Sequence, residues 1–97
     1  MRFSWDPRKS ADNLAERGFD FAFATLIFDG PTLERQDDRK DYGERRVIAI
    51  GLAQRLHLTV AYTDRPGQGA QTDRRIISAR RSGRRERKAY DQAFADR

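Results

Sequence analysis

The chain has 97 residues, no cysteine, a single histidine, and a net charge of +5 from 20 basic and 15 acidic side chains. That length suits one domain, residues 1–97, with a small core; the composition excludes disulfides, thiolate metal sites and a histidine-rich zinc site, and with one histidine and no cysteine it offers no Cys-His or Ser-His-Asp arrangement to propose. No apolar run is long enough for a bilayer and the first residues carry no signal-peptide pattern, so the expected setting is the cytoplasm, with no membrane partner, metal or cofactor.

Arg2 to Trp5 reads as a short strand. Asp6-Pro7 then opens a helix, because an Asp cap accepts backbone hydrogen bonds and proline suits the first turn. This helix is expected to run to about Arg17 and stop at Gly18. Asp20 caps a second helix, Phe21 to Phe28, apolar nearly all round and therefore expected beneath a sheet. Asp29-Gly30-Pro31 ends it. Thr32 to Arg35 forms a short edge strand, and Gln36 to Gly43 is polar enough to be a loop.

Arg46 to Leu52 and Leu56 to Thr63 read as two strands of a hairpin joined through Ala53 to Arg55. The second alternates Leu56, Leu58, Val60 and Tyr62 against His57, Thr59, Ala61 and Thr63. After a turn with Pro66, Gly67 and Gly69, Thr72 to Ala79 supplies a third strand in a sequential meander. Strict alternation sends Arg75, Ile77 and Ala79 to one face and Arg74, Ile76, Ser78 and Arg80 to the other. The last helix begins near Gly83, with Glu86 in the capping-box position, and runs to about Ala95. The expected fold is α+β: two N-terminal helices on an antiparallel sheet of three to four strands, closed by a basic C-terminal helix.

The charge is concentrated. Arg74 to Lys88 holds eight basic residues and one acid, a net of +7, whereas the rest holds twelve basic and fourteen acidic residues, a net of −2. Such a stretch attracts polyanions; a solvated helix face is the plainer alternative. Seventeen of the twenty basic residues are arginine, whose guanidinium grips phosphate by two parallel hydrogen bonds and stacks on bases. Arg80, at the strand exit, is expected beside the free N–H groups of the last helix, a corner suited to a phosphate. His57 has no partner visible in the sequence and reads as structural or solvent-exposed. Trp5 and Tyr90 read more readily as core aromatics than as base-stacking platforms.

Over nearly its whole length the chain resembles the BrnT family of type II toxins, small ribonucleases with a RelE-like fold. The resemblance rests on WDPRK at Trp5 to Lys9, Asn13-Leu14, Phe28-Asp29 followed by Pro31, GERR at Gly43 to Arg46, and Ile50-Gly51. It continues through TDR at Thr63 to Arg65, RIISARR at Arg75 to Arg81, and RRER at Arg84 to Arg87 with Tyr90. Three positions depart from the pattern: Glu16-Arg17-Gly18 stands where the family commonly has Lys-His-Gly, Tyr62 where it often has His, and Gly83 where a Ser or Thr cap is usual.

The resemblance implies an RNA substrate and a BrnA-like antitoxin that neutralises the toxin in a hetero-oligomer (2:2 by resemblance), with operator DNA bound only through that antitoxin. RNA carries its own nucleophile, the 2′-hydroxyl, so arginines can supply the electrostatic stabilisation without a metal. Arg65 and Arg80 are expected to clamp the scissile phosphate with Arg46 assisting. Glu44 is the candidate base, and Tyr90 orients an arginine or gives a proton. Arg75, Arg81, Arg84, Arg85 and Lys88 are candidate RNA-binding residues. A non-catalytic basic nucleic-acid-binding subunit remains the alternative, and a protein-interaction subunit with an acidic partner is a third reading.

Overall fold

In a computed structural model, which describes residues 1–95, one five-stranded sheet is layered under helices. In chain order the elements are β1 (Arg2–Trp5), α1 (Pro7–Arg17), α2 (Phe21–Ala24), a 3₁₀ turn (Thr25–Asp29), β2 (Leu33–Gln36), β3 (Val47–Ala53), β4 (Leu56–Pro66), β5 (Thr72–Arg81) and α3 (Arg84–Ala93). The strand order is β1-β5-β4-β3-β2. Strands β2 to β5 form the sequential antiparallel meander, but β1 joins β5 in parallel, Arg2 opposite Asp73 through Trp5 opposite Ile76. The α+β class therefore holds, while the expected antiparallel sheet of three to four strands is corrected to a mixed sheet of five. The expected pair of N-terminal helices is corrected too. After one turn, α2 tightens into the 3₁₀ segment, which seats fully buried Ile27 against the sheet.

The local signals account for most boundaries. The Asp6 carboxylate accepts the Arg8 N–H at 2.9 Å, and Gly18 ends α1 at φ 85° with its N–H donating to the Leu14 carbonyl. A left-handed residue here favours glycine, which has no Cβ to clash. The Asp20 carboxylate accepts the Phe23 N–H at 2.8 Å; such caps are worth about 1 kcal/mol each. Gln54 and Arg55 make the β3–β4 turn, both at positive φ, as a two-residue hairpin with the right twist requires.

The core lies between the helical layer and one sheet face. Phe19, Phe21, Ala24 and Ile27 meet Ala49, Ala53, Leu58, Val60, Tyr62, Ile76 and Ala79. Small residues on β3 let the 3₁₀ turn approach closely. Polar ties fix α1: the Ser10 hydroxyl accepts the Phe21 N–H, Asn13 Nδ2 donates to the Phe19 carbonyl, and Arg17 donates to the Ala79 carbonyl on the edge of β5 that β1 leaves uncovered. Helix α3 crosses part of the opposite face, held by Tyr90, whose buried hydroxyl donates to the Pro31 carbonyl at 3.0 Å. Among the described residues no helix is long and apolar enough to cross a membrane.

Candidate nucleic-acid interface

A β-bulge decides which arginines meet. Ala61 pairs with Ser78 but Tyr62 pairs with Ile76, leaving Ile77 as the extra residue on β5. The two-residue alternation therefore slips once between Arg74 and Arg80. Arg74, Ile76, Ala79 and Arg81 share the core face with Asp64, Tyr62, Val60 and Leu58. Arg75 and Arg80 share the open face with Thr63 and Thr59, and Arg65 lies there as well. The expected separation of Arg75 from Arg80 is thus corrected, and arginines from two strands look out from one surface.

At the far end of that face is a cleft of about 130 Å³ lined by Asp6, Lys9, Glu44, Arg46, Arg65 and Arg75. Glu44 is its centre: one carboxylate oxygen accepts from Arg65 at 3.1 Å and the other from Arg46 at 3.2 Å. Burial pushes the Glu44 carboxyl up, but the hydrogen bonds from Arg46 and Arg65 outweigh it and hold the group below its ordinary value, so Glu44 is ionised. Arg75 has no ion pair among the described residues. Asp6 and Lys9 arrive from the start of α1, so the WDPRK motif delivers two side chains to the cleft.

At the α3 end, Arg80 makes two hydrogen bonds to Glu86, at 2.7 and 3.0 Å, and Glu86 also accepts the Gly83 N–H at 2.7 Å. The expected phosphate corner is therefore filled by the protein's own carboxylate. The hydrogen bonds from Arg80 hold the Glu86 carboxyl down at about 2. Arg65 and Arg80 do not converge on one point. Arg80 pairs with Thr59, six residues from Arg65 along β4, a separation of about 20 Å at the usual strand rise.

Between the two ends lies the loop from residue 37 to 46, which the polar composition gave no reason to expect as ordered. Asp37 is buried; its carboxylate accepts two hydrogen bonds from the Arg39 side chain at 2.8 Å each and one from the Tyr42 hydroxyl at 3.2 Å. The hydrogen bonds from Arg39 hold this carboxyl far below the usual carboxylate range. The Tyr42 ring lies 3.9 Å from the Arg46 guanidinium. Arg39 lies near enough to Arg80 for their charges to repel, against the stronger attraction of Glu86.

The remaining sequence candidates are spread more widely. Arg84, Arg85 and Lys88 are exposed on α3. Arg85 rims a groove of about 390 Å³ between β2–β3 and α3, whose lining includes Leu33, Ile48, Ile50 and Ala89. Arg81 faces the helical layer beside Leu14, Phe19 and Leu56, away from the cleft. Tyr90 stands under α3, not in the cleft. His57, read as partnerless, bonds Asp91 at 2.8 Å. Arg74 is structural: it makes two hydrogen bonds to Asp64 and covers the Tyr62 and Phe28 rings at 4.0 and 4.8 Å. Asp6 and Lys9, which line the cleft, and Asp37, Arg39 and Tyr42, which order the loop beside it, are the residues that sequence reasoning did not place at the site; for Asp6 and Lys9 the signal was their place in WDPRK. Among the described residues no cluster of His, Asp and Glu is suited to a metal.

A small α+β domain lines one sheet face with arginines from separate strands, an arrangement suited to a polyanion. The family model described as "Ribonuclease toxin, BrnT, of type II toxin-antitoxin system" matches residues 5–86. The chain therefore belongs to the BrnT family of ribonuclease toxins. No match was found among curated proteins.

Proposed function

We propose that this BrnT-family toxin cuts RNA without a metal, at the cleft of Lys9, Arg46, Arg65 and Arg75 around Glu44. The observation that carries the reading is the meeting of four cations from α1, the loop after β2, β4 and β5 in one cleft, two of them, Arg46 and Arg65, on the Glu44 carboxylate. Arg46 and Arg65 turn from Glu44 to the non-bridging oxygens of the scissile phosphate, which neutralises the charge that grows in the phosphorane. Their departure removes the hydrogen bonds that depress Glu44, so its proton affinity rises as substrate arrives. Glu44 then takes the proton of the 2′-hydroxyl, whose oxygen attacks phosphorus while the bond to the 5′-oxygen breaks. Lys9, the lysine of the cleft, gives the leaving oxygen its proton. The products are a 2′,3′-cyclic phosphate and a 5′-hydroxyl.

Arg80 lies too far along the sheet to share that phosphate and holds another one, with Arg84, Arg85 and Lys88 beyond it. Tyr90 acts by fixing α3. A BrnA-like antitoxin neutralises the protein in a hetero-oligomer of two copies each by covering this face, and operator DNA is reached only through it. An amphipathic segment suits the apolar groove, whose rim carries Arg35 and Arg85 beside Glu34 and Glu86.

The test is incubation of purified protein with naked RNA, with and without chelator, and analysis of the product ends. Cyclic phosphate ends unaffected by chelator are expected, with cleavage by Arg65→Ala slower by about 10²–10³-fold, the usual cost of losing one charge-stabilising donor. An Arg65→Ala variant that cuts at the parental rate refutes the site, and loss of activity with chelator refutes metal independence. RNA that is bound but left whole identifies a binding subunit instead.

A further inference from the structure

We propose that Tyr42 is a positioning residue for the arginine cleft, acting through Arg46. The proposal rests on the cleft reading above. Four contacts form a continuous chain. The buried Asp37 carboxylate accepts the Tyr42 hydroxyl at 3.2 Å; the Tyr42 ring meets the Arg46 guanidinium at 3.9 Å; Arg46 donates to Glu44 at 3.2 Å; Glu44 accepts from Arg65 at 3.1 Å. Each link restricts the next. Asp37 is itself anchored: its N–H donates to the Arg46 carbonyl at 2.9 Å, closing the loop at its base, and Arg39 occupies both its oxygens. The far side of the loop is pinned to β4 by the Thr63 hydroxyl, which donates to the Arg45 carbonyl at 2.8 Å.

The backbone of Arg46 is therefore fixed from two directions, but its side chain is long and has several rotatable bonds. Glu44 alone cannot fix it in the reaction, because Glu44 must release it to the phosphate. The aromatic face is the contact that persists through that exchange. A guanidinium lying over a ring keeps its edge N–H groups free for hydrogen bonds. Tyr42 thus holds the plane of Arg46 while its bonding partner changes from carboxylate to phosphate. The ring does not touch substrate; its effect is on the geometry of the group that does. Lys40, with its ammonium 5.1 Å from the same ring, adds charge to this corner.

The experiment compares Tyr42→Ala, Tyr42→Leu and Tyr42→Phe with Arg46→Ala and Arg65→Ala in single-turnover RNA cleavage, RNA binding and thermal melting. Tyr42→Ala and Tyr42→Leu are expected to lower kcat by about 10- to 100-fold, the range for a catalytic group displaced by about an ångström. Their KM stays within twofold and their RNA affinity is retained. Tyr42→Phe keeps the ring and is expected to restore most of the rate. Leucine keeps apolar bulk without a π face, so a loss in both non-aromatic variants with similar melting temperatures separates the ring from general packing. Tyr42→Leu at the parental rate, or Tyr42→Phe as slow as Tyr42→Leu, overturns the proposal. Parental rates for Arg46→Ala and Arg65→Ala overturn the cleft reading itself, a result distinct from failure at Tyr42 alone.

Discussion

Replacing Gly51 by alanine tests how tightly the helical layer sits on the sheet. A Cβ on Gly51 would stand 2.8 Å from Ile27 Cβ, 3.1 Å from Thr32 Cγ2 and 3.3 Å from the Ile27 carbonyl oxygen. Carbon atoms prefer about 3.5–4.0 Å, so the closest contact requires a displacement of about 1 Å. Ile27 Cβ cannot rotate out of the way, since it is attached directly to the backbone of the 3₁₀ turn, and Ile27 is fully buried. The turn as a whole must lift. Overpacking of this kind costs about 1–3 kcal/mol. The loss of glycine's flexibility in the unfolded chain returns about 0.4–1 kcal/mol. The net is a destabilisation centred on about 1.3 kcal/mol, or a melting temperature lower by about 5–10 °C in a domain of this size. The assay is thermal denaturation beside Gly30→Ala, where an added Cβ meets nothing within 4 Å and no loss is expected. A Gly51→Ala protein that melts at or above the parent would refute the claim that the absence of this side chain sets the layer spacing.

Two further outcomes are expected. Glu86 has its carboxyl depressed from 4.5 to about 2, so its stabilisation is present above the ordinary value and disappears as pH falls through that window. Melting temperatures measured from pH 7 to pH 2 should therefore show the gap between parent and Glu86→Gln closing below about pH 4.5; a gap that stays constant contradicts the pairing. Arg74→Ala should destabilise by about 1–3 kcal/mol, because it uncovers two rings and removes the hydrogen bonds to Asp64, yet cleave RNA at the parental rate in the cold. Arg75→Ala should do the reverse, and identical behaviour of the two neighbours would contradict the assigned faces.

That last comparison shows where the sequence was readable and where it was not. The hairpin and the meander followed from the alternation in Leu56 to Thr63 and from the turn residues, because those signals are local. Both ends of α1 and the start of α3 followed from Asp6, Gly18 and Glu86 for the same reason, while α3 ends at Ala93, short of the expected Ala95. The parallel pairing of β1 with β5 links residues about seventy positions apart and leaves no local trace. The apolar stretch from Phe21 onward signalled burial but not whether the turns would be α or 3₁₀. Most consequential was the bulge at Ile77: period-two reasoning separated Arg75 from Arg80, and one unpaired residue united them. In the candidate site, Glu44, Arg46, Arg65 and Arg75 were foreseen as residues, while the order of the loop from 37 to 46 was not. Its order comes from polar side chains satisfying one another around Asp37, which has no hydrophobic period to detect.

A run of charge in sequence is also not a patch on a surface. The fold scatters the stretch from Arg74 to Lys88: Arg74 covers rings on the core face, Arg81 meets the helical layer, Arg80 binds Glu86, and Arg87 donates to the Ser82 carbonyl. The cleft draws only Arg75 from that run and takes its other cations from Lys9, Arg46 and Arg65. Several of these arginines already hold a carboxylate: Glu44 for Arg46 and Arg65, and Glu86 for Arg80. Partly exposed pairs of this kind contribute about 0–1 kcal/mol, so exchanging one carboxylate for one phosphate is nearly balanced in energy. A single anion therefore gains little. A strand that offers several phosphates at once can replace several carboxylates together, and its binding should weaken steeply with salt. An acidic protein segment can make the same exchange, which places the proposed antitoxin and the RNA in competition for the same guanidinium groups.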